Sequence, residues 1–197
     1  MSMRRVMPFL LVLVGLLAFA PAVAADTIGS PRESYESVGL EAFNSVCGNQ
    51  TCTDTHVYAE RQTTSSGDTF IYACADQFTY SIRTGRGMGG GGGCSDIPTS
   101  ALTVSKDLSS ASLSPVSVDF CVRRQCNTIT ISADLLATGG SATFRSRYSE
   151  NDGTCTFTYA DSGQRQFAAG SITFDGATSA ADGSIFGSKT TVTSKCR

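Results

Sequence analysis

The 197-residue sequence predicts an all-β protein, an antiparallel β-sandwich stapled by disulfides and built either as one unit or from two related β-units. Three observations predict it. Runs that alternate apolar and polar residues recur along the chain, clusters of glycine, serine, asparagine and aspartate separate them, and eight cysteines fall in an ordered pattern. Period-two alternation suits strands with one buried face, and many short strands divided by turns suit a sandwich.

The chain opens MSMRRVMPFLLVLVGLLAFAPAVAAD. Two arginines, an apolar run of about fifteen residues and small residues at Ala22, Ala24 and Ala25 make residues 1–25 a secretory signal peptide, too short in its apolar part for a spanning helix. Residues 26–46 read as an N-terminal segment. Its one feature is a short helix at Ser30-Pro31-Arg32-Glu33, where a capping serine, a proline and a glutamate coincide. The β domain then runs over 47–197. "FTYSI" sets Phe78, Tyr80 and Ile82 on one face; "SPVSVDFCV" aligns Val116, Val118, Phe120 and Val122. "NTITISADL" aligns Ile129, Ile131 and Ala133, and "TCTFTY" aligns Cys155, Phe157 and Tyr159. The Asp152-Gly153 pair before the last of these is a hairpin signal.

Cys47, Cys52, Cys74, Cys94, Cys121, Cys126, Cys155 and Cys196 form two quartets. An even count in an exported chain points to four disulfides, because an oxidising compartment favours the bridge over a zinc thiolate. The repeated order assigns them within quartets: Cys47 to Cys52 and Cys121 to Cys126 as local staples, Cys74 to Cys94 and Cys155 to Cys196 across longer loops. Two pseudo-repeats, 47–94 and 121–196, carry this order. Each C-x4-C pair is followed seven residues later by alanine and an acid, Ala59-Glu60 and Ala133-Asp134, and the tripeptide Phe-Thr-Tyr recurs at Phe78 and Phe157.

Loss of Arg4 and Arg5 with the leader leaves thirteen basic against seventeen acidic side chains, a net charge of −4. That balance argues against a nucleic-acid partner, whose affinity rests on neutralised phosphates. A secreted or periplasmic protein with no membrane span after signal removal is expected, with an extracellular protein or glycan as its partner.

The stretch RTGRGMGGGGGCSD, Arg83 to Asp96, contains a literal G-x-G-x-x-G. A phosphate cradle needs a helix opening on the last glycine or a following lysine-serine or lysine-threonine, and neither is present. The glycines read instead as a flexible loop tied by Cys94. Cys155 to Gly176 is similar locally to the flap hairpin of pepsin-type aspartic proteases, but the paired Asp-Thr/Ser-Gly motifs of that family have no counterpart here.

Catalytic, metal and cofactor-binding residues are therefore not assigned. The single histidine, His56, shares one strand face with Asp54 and Tyr58, while Thr55, Val57 and Ala59 take the buried face; a solvated surface histidine is expected. Arg145 and Arg147 share a face opposite Phe144 and Tyr148. Asp54, His56, Tyr58, Arg145 and Arg147 make up the candidate binding face of a non-catalytic binding or structural module. A small secreted hydrolase using His56, or an inhibitor of extracellular proteases presenting disulfide-tethered loops, are the alternatives.

Overall fold

The computed structural model describes residues 32–196, so the expected leader lies outside the described residues. Nine strands follow in order: β1 (Arg32–Cys47), β2 (Thr51–Thr64), β3 (Thr69–Ser81), β4 (Gly87–Asp96), β5 (Leu102–Val104), β6 (Ser110–Val122), β7 (Gln125–Asn151), β8 (Cys155–Phe174) and β9 (Ala177–Cys196). A single 3-10 turn at Thr99–Ala101 is the one helical element among the described residues. All pairings are antiparallel, as expected, and they form one sheet of order β4-β3-β2-β1-β9-β8-β7-β6-β5.

Two four-stranded meanders, β1 to β4 and β6 to β9, make up this sheet. They meet twice: β1 pairs with β9, and β4 touches β6 at Gly92 opposite Cys121. Since β5 pairs with the same edge of β6, β4 and β5 act as one strand broken at Pro98, which has no N–H to give a ladder. The sheet thereby closes on itself. Its opposite walls face each other across one apolar cluster that draws Leu40, Val57 and Ala73 from the first meander and Val118, Ile131 and Ile172 from the second. The two facing layers expected of a sandwich thus belong to one continuous sheet.

Three expectations are corrected. Residues 32–46, set apart as an N-terminal segment, form the central strand β1. Arg32 and Glu33 are strand and not helix, while Ser30 and Pro31 lie outside the described residues. Pairing with β9 from Arg32 and with β2 from Tyr35 satisfies the backbone on both sides, which outweighs a local capping signal. The glycine run is not a slack loop. Gly87–Asp96 is strand β4, in register with β3 from Tyr80 opposite Gly87 to Cys74 opposite Cys94. A Cβ on Gly93 would strike the Asp119 carbonyl, and one on Gly91 the Cys121 carbonyl, so bare backbone is what lets β6 approach.

The cysteines pair as their order predicts: Cys47–Cys52, Cys74–Cys94, Cys121–Cys126 and Cys155–Cys196. Every bridge joins residues directly opposed on neighbouring strands, with Cα atoms 3.9 to 4.0 Å apart. By strand alternation all four lie on the sheet face away from the core, since Leu40, Val57, Ala73 and Ile131 occupy the opposite parity. The Phe-Thr-Tyr tripeptides do not occupy equivalent places. Tyr80 stands opposite Cys52 beside the first hairpin, whereas Tyr159 pairs with Val192 at the far end of β8.

Candidate functional site

Ala42, Val57 and Ala75 are fully buried, so their strand neighbours Phe43, His56 and Asp76 must project to the outer face. Register brings these three into one row, Phe43 opposite His56 and His56 opposite Asp76. The adjacent row contributes Glu41, Tyr58 and, from β9, Ser184; the next contributes Glu60, Tyr72, Phe186 and, from β8, Arg165.

His56 is not a solvated histidine: its side chain is only 11% exposed. The imidazole stacks on Phe43, ring centroids 4.4 Å apart and planes 5° from parallel. Nε2 stands 3.6 Å from Glu41 Oε1 and Nδ1 stands 3.6 Å from Asp76 Oδ2. Both separations are too long for hydrogen bonds, and Nε2 is buried without a hydrogen-bond partner, so the carboxylates act on the ring through space. Burial by itself would lower the pKa of His56; Asp76 and Glu41 outweigh it and hold the imidazole above its usual range. Gly92 makes room for this arrangement, because a Cβ there would occupy the position of the Asp76 carboxylate.

Glu41 is drawn into the same network from the other side. Arg165 Nη1 forms an ion pair with Oε2 at 3.0 Å, and Ser184 Oγ donates to the same oxygen at 3.4 Å. Burial would raise the Glu41 pKa, but His56 and the Arg165 charge outweigh it and hold the carboxyl below its ordinary value.

Next to this charged group lies a second carboxylate with a different environment. Glu60 is 7% exposed and accepts from the hydroxyls of Tyr58 at 2.5 Å and Tyr72 at 2.6 Å, and from Gln62 Nε2 at 3.2 Å. Burial first, and then the Glu60 charge, push both tyrosine pKa values well above normal, so the hydroxyls remain donors. Phe186 stacks over Tyr58 at 5.7 Å, and Gly39 admits its ring where a Cβ would collide with it.

Of the five candidate residues, the structure brings three together on one face. Asp54 is exposed there and accepts from Ser45 Oγ at 2.6 Å, one row from His56 and two from Tyr58. Arg145 and Arg147 stand elsewhere: register through β8 and β9 sets them on the opposite sheet face, where β7 extends beyond the core. Glu41, Phe43, Glu60, Tyr72, Asp76 and Arg165 escaped the sequence reading. Alternation in "GLEAFN" marks Glu41 and Phe43 as outward, but their meeting with His56 depends on pairing between strands.

No protein-family model and no curated protein matches the chain. Among solved structures, an acetoacetate decarboxylase-like enzyme from Sphingomonas wittichii RW1 is similar at 9% identity, covering 90% of this chain and 96% of that one with a TM-score of 0.31. A putative AttH from Nitrosomonas europaea is similar at 13% identity, covering 88% of this chain and 58% of that one with a TM-score of 0.24. Likeness at this level carries no functional argument.

Proposed function

We propose that the protein is an exported, non-catalytic binding module that recognises an extracellular protein or glycan through the outer face centred on His56. The observation that carries this reading is the orientation of the imidazole. A hydrolytic base needs one ring nitrogen free to take a proton from a nucleophile while the other is held by an orienting acid. Here Nδ1 faces Asp76 and Nε2 faces Glu41, and a pKa raised by two carboxylates favours a cation over a base. Alternating charges at Glu41, His56, Asp76 and Arg165, beside the exposed ring of Phe43, suit recognition of a polar partner.

A protease inhibitor offers its target an extended segment that pairs with the cleft. The Cys121–Cys126 hairpin turns tightly instead, with Arg123 at φ 58°. The test is capture of a partner from the extracellular milieu by the oxidised protein, compared with Phe43→Ser and His56→Gln, alongside hydrolysis of a panel of esters and peptides. Partner capture lost in both variants is the expected result. Turnover abolished by His56→Gln would replace this reading with the hydrolase.

A further inference from the structure

Antiparallel order places the β1–β2 turn, the β3–β4 loop, the β6–β7 turn and the β8–β9 turn, which carries the exposed Asp175, at one mouth of the closed sheet. The Ile82 amide donates to the Gln50 carbonyl at 2.9 Å, locking the first two together. Met88 to Gly90 and Val122 to Gln125 line one open cleft that joins the third. The first three of these tips carry Arg83, Arg86, Arg123 and Arg124, all exposed, and no acidic residue between 48 and 50, 82 and 86, or 122 and 125. None of the four enters an ion pair among the described residues. The chain as a whole is acidic, whereas the four turns of this mouth set four arginines against the single acid Asp175, a local reversal of charge.

The same rim exposes aliphatic side chains. Val46 is 61% exposed, Met88 64%, Ile82 49% and Val122 47%. We propose that this mouth docks on an anionic phospholipid surface, with the arginines on the phosphates and the four aliphatic side chains in the headgroup boundary. The charge selects an anion, and guanidinium groups match phosphate geometry. A soluble acidic polysaccharide would satisfy the arginines yet leave Val46, Met88 and Val122 in water. A bilayer interface takes both, since its affinity combines attraction to anionic lipid with burial of apolar area. The acidic remainder of the molecule is repelled by the same surface, which orients the mouth toward it.

The inference is independent of the His56 face, and His56→Gln serves as the control that leaves it intact. The oxidised protein is mixed with equimolar phosphatidylcholine–phosphatidylglycerol vesicles, or with phosphatidylcholine alone, and sedimented. Binding to the anionic vesicles is expected. Arg123→Gln with Arg124→Gln should weaken it by about tenfold or more, because each arginine near the surface is worth roughly a fivefold factor. Met88→Ser with Val122→Ser should weaken binding while leaving its salt dependence. Intact mass and melting temperature confirm that each variant folds with four bridges. Failure to sediment with anionic vesicles overturns the proposal, as does sedimentation that both double variants retain. Arginine-dependent binding to soluble polygalacturonate without vesicle binding overturns it in favour of an acidic glycan.

Discussion

His56 and Phe43 are register partners on β2 and β1, and their rings lie 4.4 Å apart and nearly parallel with a carboxylate facing each nitrogen of the imidazole. The pair packs a titratable ring between an aromatic face and two acids, so its protonation is coupled to folding.

Because the folded pKa of His56 is raised, its contribution to stability is fully present below the unfolded value near 6.5 and disappears as pH rises through the folded value. Glu41, whose folded pKa is lowered, contributes above its unfolded value near 4.5 and loses that contribution as pH falls. Both contributions are therefore complete between these two values. Urea unfolding across pH should show the decline on the alkaline side, and His56→Gln should flatten it. An imidazole NMR titration with a midpoint at or below 6.5 would contradict the geometry.

Glu60→Ala leaves the Tyr58 and Tyr72 hydroxyls without their acceptor in a buried setting. Each unsatisfied group costs about 1 to 3 kcal/mol, so a loss of about 2 to 6 kcal/mol is expected from denaturant unfolding. Tyr72→Phe removes one donor but leaves Tyr58 and Gln62 on the carboxylate, and should cost only about 1 kcal/mol. Equal costs for the two substitutions would mean that the cluster does not work as a unit.

Neighbouring glycines of β4 should respond differently to alanine. At Gly93 a Cβ meets the Asp119 carbonyl, and relieving that overlap should cost about 1 to 3 kcal/mol. At Gly89 there is nothing within 4 Å, and alanine should fall within about 0.5 kcal/mol of the parent. Thermal unfolding of the two variants decides the matter. Deleting Gly90 and Gly91, harmless for a tether, should disrupt β4, because it shifts Cys94 by two positions relative to Cys74.

The bridges should differ in worth. Cys155–Cys196 closes a separation of 41 residues and Cys47–Cys52 one of 5. On chain entropy, replacing both cysteines by alanine should cost about 4 kcal/mol for the long loop and about 2 kcal/mol for the short one. Denaturant midpoints in the reverse order would show that native-state packing around the bridges dominates.

Antiparallel strands and the pairing of cysteines within quartets were both legible in the chain. Alternation at Ile129, Ile131 and Ala133 reports a buried face at period two, and the repeated order of the two quartets pairs Cys47 with Cys52 and Cys121 with Cys126. That Gly87–Asp96 is a strand and that His56 sits between acids follows only from how distant strands pair. Glycine has weak strand preference, and β4 exists because β3 pairs with it along its length and β6 can reach only a backbone without side chains. Glu41 and Asp76 lie 15 and 20 residues from His56 along the chain. Local pattern specifies which face each occupies, but only the register between β1, β2 and β3, set by burying Ala42, Val57 and Ala75 together, carries them to the same imidazole.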